Sequence, residues 1–289
     1  MAIFWRERCA DESCRQQIIP FSSVDGRQPN GSLSSGLQYQ LQILSQSRNQ
    51  TALHKLRGLC GAVPRRALSL GENGRVNWTQ NSCVQCDACI HVCPHDSSPR
   101  VREMTPEEVY DCVKKQIPFI RGISVSGGEC MLWPDFLKEL FKLAKKDNLS
   151  CLIDSNGTIP FWDYPELVEC SDGVMLDIKA FDGDAHRRIT DEGNDTVLKN
   201  AAYLAELGKL EEVRAVIVPE LYNGEESIRA IGAYLAPYRS IREIRIKLIA
   251  YRPMGVREEY SHYTVPSPEF LRHLADILRE MGFQDIIII

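Results

Sequence analysis

From Met104 onward the chain alternates between short apolar runs and amphipathic stretches, and no other feature restricts its fold so much. The apolar runs fall at 122–126, 151–154, 174–178, 213–218, 244–249 and 285–289. Amphipathic segments such as 136–146, 197–207 and 268–281 separate most of them. Runs of this length with helical patterns between them predict βα units and a parallel sheet, hence an α/β fold. Thr105-Pro106-Glu107-Glu108 reads as a helix start, with Thr as N-cap, Pro at the first helical position and acids in the first turn. In barrels of this type the C-terminal ends of the strands carry the chemistry.

Polar residues stand at those ends. The first run closes on Ser126-Gly127-Gly128-Glu129. Two glycines allow a ligand close to the backbone, and an acid can hold an ammonium group. The second closes on Asp154-Ser155-Asn156-Gly157 and the third on Met175-Leu176-Asp177-Ile178-Lys179. The fourth has Arg214 near its start and Pro219 at its end. Any one of these reads as a turn or a surface charge; all of them, in order on successive strands, do not read as turns alone.

The chain before Met104 has a different texture. Residues 18–25 read as a strand running into a turn. Residues 27–63 are rich in Gln, Ser and Leu without helical or strand period, a length of structureless chain unusual inside a compact domain. Eleven cysteines are many, and four stand as Cys83-x2-Cys86-x2-Cys89-x3-Cys93-Pro94. That spacing suits an iron–sulfur cluster rather than a disulfide framework. Zinc on the same four thiolates is the alternative. Cys9, Cys14, Cys112, Cys130, Cys151 and Cys170 lack ligand spacing and read as ordinary thiols. A net charge of −5 with no basic tract argues against nucleic acid as a partner. No apolar stretch reaches the roughly 20 residues of a membrane span, and the first residues make a poor signal peptide, so the expected location is cytoplasmic.

Taken together, ISVSGGECML, LIDSNG, VMLDIK and VRAVIVPE resemble the glycyl-radical-enzyme activases of the radical S-adenosylmethionine (SAM) superfamily. IIPFSSVDG resembles their opening strand, and the Cys83–Cys93 run resembles the YjjW-type branch with an inserted two-cluster ferredoxin module. The resemblance covers residues 16–26 and about 64–289. It implies a partial (β/α)6 barrel, a SAM-bound [4Fe-4S] cluster, a glycyl radical enzyme as protein partner, and reduced flavodoxin or ferredoxin as electron donor. By the same resemblance Gly127, Gly128 and Glu129 would hold the SAM amino group. Asp154, Ser155 and Asp177, with the Met175 carbonyl, would bind a monovalent cation beside the SAM carboxylate. Lys179 and Arg214 would contact SAM or its neighbours. Arg252 stands where such proteins often have His, and no role is assigned to it.

The sequence departs from the family in one respect that matters for chemistry. Such activases hold the catalytic cluster with Cys-x3-Cys-x2-Cys soon after the opening strand, and no such motif is present; between Cys14 and Cys60 there is no cysteine. The first ferredoxin run is missing too. Reading one nucleotide later, a Leu codon followed by a codon beginning with C or T can give Cys, as can Val before Pro. Such pairs begin at Leu37, Leu41 and Leu44, and again at Leu53, Leu56, Leu59 and Val63. These are the spacings of the two missing motifs. Residues 27–63 are therefore read as their out-of-frame image, against the alternative of a divergent linker, and are expected to be irregular and exposed.

The expected organisation is an N-terminal segment with the first barrel strand (1–26), the out-of-frame segment (27–63), a residual ferredoxin-like module (64–100) and the radical SAM barrel (101–289). Three functions stay open. The first is an activase, inactive as written because the thiolates for the catalytic cluster are missing. The second is a ferredoxin-like electron-transfer protein built on Cys83, Cys86, Cys89 and Cys93. The third is a non-catalytic homologue that binds SAM or the partner.

Overall fold

The computed structural model describes residues 2–4, 17–21, 64–70, 76–84, 88–91, 102–126, 129–253 and 262–289. The segment 27–63, and with it the expectation of irregular exposed chain there, lies outside the described residues, as do Gly127, Gly128, Cys86 and Cys93.

In chain order the strands are β1 (Ala2–Phe4), β2 (Gln17–Phe21), β3 (Leu68–Leu70), β4 (Val76–Trp78), β5 (Arg102–Glu103), β6 (Gly122–Val125), β7 (Ser150–Ser155), β8 (Gly173–Asp177), β9 (Leu210–Ile217), β10 (Arg245–Ala250) and β11 (Ile286–Ile288). The α-helices are α1 (Ala88–His91), α2 (Pro106–Lys114), α3 (Pro134–Lys146), α4 (Pro165–Cys170), α5 (Gly183–Thr190), α6 (Asp195–Glu206), α7 (Gly224–Leu235) and α8 (Pro268–Glu280). One sheet runs β11-β10-β9-β8-β7-β6-β1-β2-β5, and β3 pairs with β4 apart from it. Strands β6 to β11 are all parallel, as the βα alternation predicts.

The N-terminal edge differs from the expectation. Residues 17–21 do form a strand, but β2 pairs antiparallel with β1, Ala2 facing Phe21. The parallel neighbour of β6 is β1, with Ala2 opposite Ser124 and Ile3 opposite Val125. Antiparallel neighbours need no crossover between them, and β2 runs back along β1 rather than joining the parallel set. Its other edge pairs antiparallel with β5.

Local chemistry explains the helix starts. Thr105 caps α2, its Oγ1 accepting the Glu108 N–H while Glu108 Oε2 accepts the Thr105 N–H at 2.8 Å. Helix α3 begins at Pro134, two residues before the apolar pattern, because proline suits a first turn whose N–H is unused anyway. Ser267 caps α8 with its Oγ accepting the Phe270 N–H at 3.1 Å, without a reciprocal bond, and Pro268 follows it.

Strand residues alternate between two faces. Ile153, Val174, Leu176, Val213, Ala215, Ile246 and Leu248 join the helices in the main core, with Leu137, Leu140, Phe141, Leu204 and Leu274. The intervening residues of the same strands include Asp154, Met175, Asp177, Glu212, Arg214 and Lys247. Charge is thus placed on one face of nearly every central strand, opposite the face that the helices cover.

Candidate active site

Beyond the end of β6 the carboxylate of Glu129 is buried and accepts three hydrogen bonds from the protein. Its Oε1 accepts the Met131 N–H at 3.0 Å and the Ser155 hydroxyl at 2.8 Å; its Oε2 accepts the Asn156 N–H at 2.7 Å. Burial pushes this carboxyl up to about 7, against hydrogen bonds that favour the charged form. Glu129 thus fastens the loop after β6 to the loop after β7. Ser155 carries the link onward, its Oγ accepting the Gly157 N–H at 3.0 Å. Between them Cys130 is buried, its thiol donating to the Asp154 carbonyl at 3.3 Å.

Asp154 on β7 faces Arg214 on β9. The Arg214 Nη1 lies 2.8 Å from both Asp154 carboxylate oxygens. Its Nε donates to Glu212 Oε1 at 2.6 Å and its Nη2 to the Met175 sulfur at 3.1 Å. Glu212 is buried and also receives Lys247 from β10 at 2.8 Å, with Arg245 at 3.8 Å. Burial alone would raise the Glu212 carboxyl, but Arg214 and Lys247 more than offset it and hold it below the usual range. At the end of β8, Asp177 forms a buried ion pair at 3.0 Å with Lys179, two residues beyond the strand. Burial pushes Asp177 up to about 7 and pulls Lys179 down to about 8, each against the charge of the other.

The structure therefore brings Glu129, Asp154, Ser155, Asp177, Lys179 and Arg214 to the same end of adjacent strands, where Asp154 opposes Met175 and Asp177 opposes Arg214 in register. Glu212, Lys247 and Asn200 belong to this region and were not singled out from sequence. Glu212 carried a signal: with Arg214 it breaks an apolar strand at a two-residue spacing. Asn200 on α6 is fully buried; its Oδ1 accepts the Phe161 N–H and its Nδ2 donates to the Gly157 and Ile159 carbonyls. A lone Asn on the apolar face of that helix was its only signal.

Of the cysteine run, Cys83 is half-buried and Cys89, on α1, is buried. Among the described residues no group of three or more His, Cys, Asp or Glu is placed to hold a metal ion. No helix of the described residues is long and apolar enough to cross a membrane.

The sheet and its helices define the class of partial α/β barrels. A solved domain of pyruvate-formate lyase-activating enzyme from Bacteroides vulgatus shares this fold at a TM-score of 0.50, with 23% identity over 58% of this chain and 98% of that one. The model of the Radical SAM superfamily matches residues 77–232, more than half of the chain, and the chain belongs to that superfamily. It is 35% identical over 140 residues to a pyruvate formate-lyase-activating enzyme of Streptococcus mutans, a match that covers 46% of this chain and about half (52%) of the relative. It is 29% identical over 228 residues to a putative glycyl-radical enzyme activating enzyme of Haemophilus influenzae, covering 70% of this chain and 86% of the relative. Membership places the chain among enzymes of the oxidoreductase type and implies a 4Fe-4S cluster and SAM as cofactors.

Proposed function

We propose that this chain is an activase that generates a glycyl radical on a partner enzyme through reductive cleavage of SAM, in a form that lacks the means to complete the reaction. The observation that carries the reading is the row of acids and bases at the ends of β6, β7, β8 and along β9, on a chain whose relatives are named as activating enzymes. The YjjW-type branch is assigned on the Cys83–Cys93 run, and the electron donor on the same resemblance.

The chain's own residues divide the work. Lys179 and Arg214 pair with Asp177 and Asp154 across the strand ends, burial strengthening both interactions, and are the residues that would contact SAM or its neighbours. Gly127 and Gly128 leave room for an amino group beside the backbone. Glu129 accepts three protein donors and, as a carboxylate with about four acceptor sites, keeps capacity on Oε2 for an amino group. When bound to a reduced cluster, SAM supplies the radical chemistry; the barrel positions it and excludes water. The donor set for that cluster does not fit: the chain has no Cys-x3-Cys-x2-Cys, and no step is routed through it. Asp154, Ser155 and Asp177, with the Met175 carbonyl, are the oxygen donors for a monovalent cation beside the SAM carboxylate, and both Asp177 oxygens are buried with no hydrogen-bond donor on them.

The test is anaerobic reconstitution with iron and sulfide, followed by dithionite and SAM. The chain as written yields no 5′-deoxyadenosine above background, while replacing 27–63 by the residues of the shifted frame restores it. Enzymatic production by the unaltered chain, abolished by Cys83→Ala, overturns the assignment of the lost motif. Sequencing the gene across codons 26–64 separates a divergent linker from two compensating shifts.

A further inference from the structure

We infer that Glu212 is a positioning residue: it fixes the Arg214 guanidinium at the ends of β7 and β8 and lets Lys247 stand beside it. The inference deepens the proposed function, because it rests on the reading that Arg214 contacts SAM or its neighbours. It begins in the strand pattern. Along β9, Val213, Ala215 and Ile217 join the helix-covered core, so Glu212 and Arg214 share the other face. Along β10, Ile246 and Leu248 do the same, and Arg245 and Lys247 share that other face. The register sets Glu212 opposite Arg245 and Arg214 opposite Lys247. Three cations and one acid thus form a block on two neighbouring strands.

Like charges directly opposite each other across a sheet are destabilising, and burial strengthens the repulsion. Arg245 has an acid of its own, Asp285, at 2.9 Å. Arg214 and Lys247 share Glu212, whose Oε1 accepts Arg214 Nε at 2.6 Å and Lys247 Nζ at 2.8 Å. That carboxylate is buried, so little water competes for it. The bond to Nε also gives direction. It holds the guanidinium by the atom nearest its flexible stem, so the plane of the fork is set and both Nη atoms turn toward β7 and β8. There Nη1 lies 2.8 Å from each Asp154 oxygen and Nη2 lies 3.1 Å from the Met175 sulfur. A carboxylate has about four acceptor sites, so Asp154 keeps capacity for a cation beside this contact. Glu212 thus acts on the site through Arg214.

The experiment uses the full chain with Glu212→Leu, Lys247→Met and the double variant. It reads the thermal midpoint and the solvent exchange of the Arg214 Nε–H, an NMR signal assigned by its absence in Arg214→Lys. Glu212→Leu leaves the two opposed cations without their shared acid, and its midpoint is expected to fall by about 5 °C or more. The double variant replaces the Glu212–Lys247 pair by apolar side chains, and at least about half of that loss is expected to return. The Arg214 signal separates positioning from stability. It is expected to exchange slowly in the unaltered chain and in Lys247→Met, where Glu212 still holds Nε, and at least about tenfold faster in the double variant. If Glu212→Leu does not fold, Lys247→Met against the double variant makes the same comparison. A double variant whose Nε–H stays as protected as in Lys247→Met overturns the proposal, and so does a Glu212→Leu midpoint equal to that of the unaltered chain. Calorimetric titration with SAM follows the consequence for binding: the double variant is expected to bind about tenfold more weakly than Lys247→Met, and equal affinity overturns the positioning role. Failure of every chain to bind SAM counts against the proposed function alone, because the Nε–H exchange is read without SAM.

Discussion

The carboxylate of Glu129 receives donors from Met131, Ser155 and Asn156 and has no equivalent replacement. An amide of the same shape has one acceptor oxygen and one NH2 group, so Glu129→Gln turns a donor toward at least one of those donors. The expected cost is about 1–3 kcal/mol, the penalty of leaving a buried polar group unsatisfied. Urea unfolding measures it; an unchanged midpoint with unchanged slope shows that the three donors do not depend on this carboxylate. In the fold this residue joins the chain after β6 to the loop after β7.

Helix α6 has a task beyond packing. The loop after β7 turns at Gly157, where φ is +75° and an added Cβ would lie 2.8 Å from Leu176 Cδ1. The backbone leaving that turn is caught by Asn200, which satisfies Phe161 N–H and two carbonyls from the middle of the helix. Asn200→Ala leaves all three without their side-chain partner and is expected to cost about 2–4 kcal/mol. Hydrogen exchange distinguishes this from a general loss of packing: the Phe161 amide loses protection before the amides of β8 do. Equal loss in both places shows that Asn200 stabilises the whole domain instead of this loop. Asp154, Ser155 and Asn156 precede the same turn, so the helix also steadies the chain that carries these candidate site residues.

Across the whole molecule, buried ionisable groups make stability depend on pH. Glu129 and Asp177 have folded values of about 7, above ordinary values of 4.5 and 3.8. Between these limits the folded chain keeps protons that the unfolded chain has released, so the contribution to stability is full below pH about 4 and is lost as pH rises to about 7. Lys179 acts on the other side, with a folded value of about 8 against 10.5. There the unfolded chain holds the extra proton, and stability recovers as pH rises through that interval. Melts of the unaltered chain and Asp177→Asn from pH 4.5 to 7 check the acid limb. The variant is expected to show a shallower decline; parallel curves show that Asp177 is not buried with a raised value.

The sequence by itself determined the class of fold and the order of its parts. Apolar runs of strand length, separated by amphipathic helices, leave a parallel sheet as the arrangement that buries both. The Thr105 start and the polar strand ends were legible because caps and turns are local chemistry. Only the tertiary structure decided what those polar groups touch. Glu129 and Ser155 are 26 residues apart, and Asp154 and Arg214 are 60 apart; no periodicity in the chain carries such a pairing. Glu212 and Asn200 stayed hidden for the same reason, since a charge inside a strand or an amide inside a helix acquires its meaning from the strand or loop opposite. The antiparallel course of β2 is a further case: its residues read as a strand, but strand direction depends on which neighbour supplies the hydrogen bonds, and that neighbour, β1, is too short to announce itself.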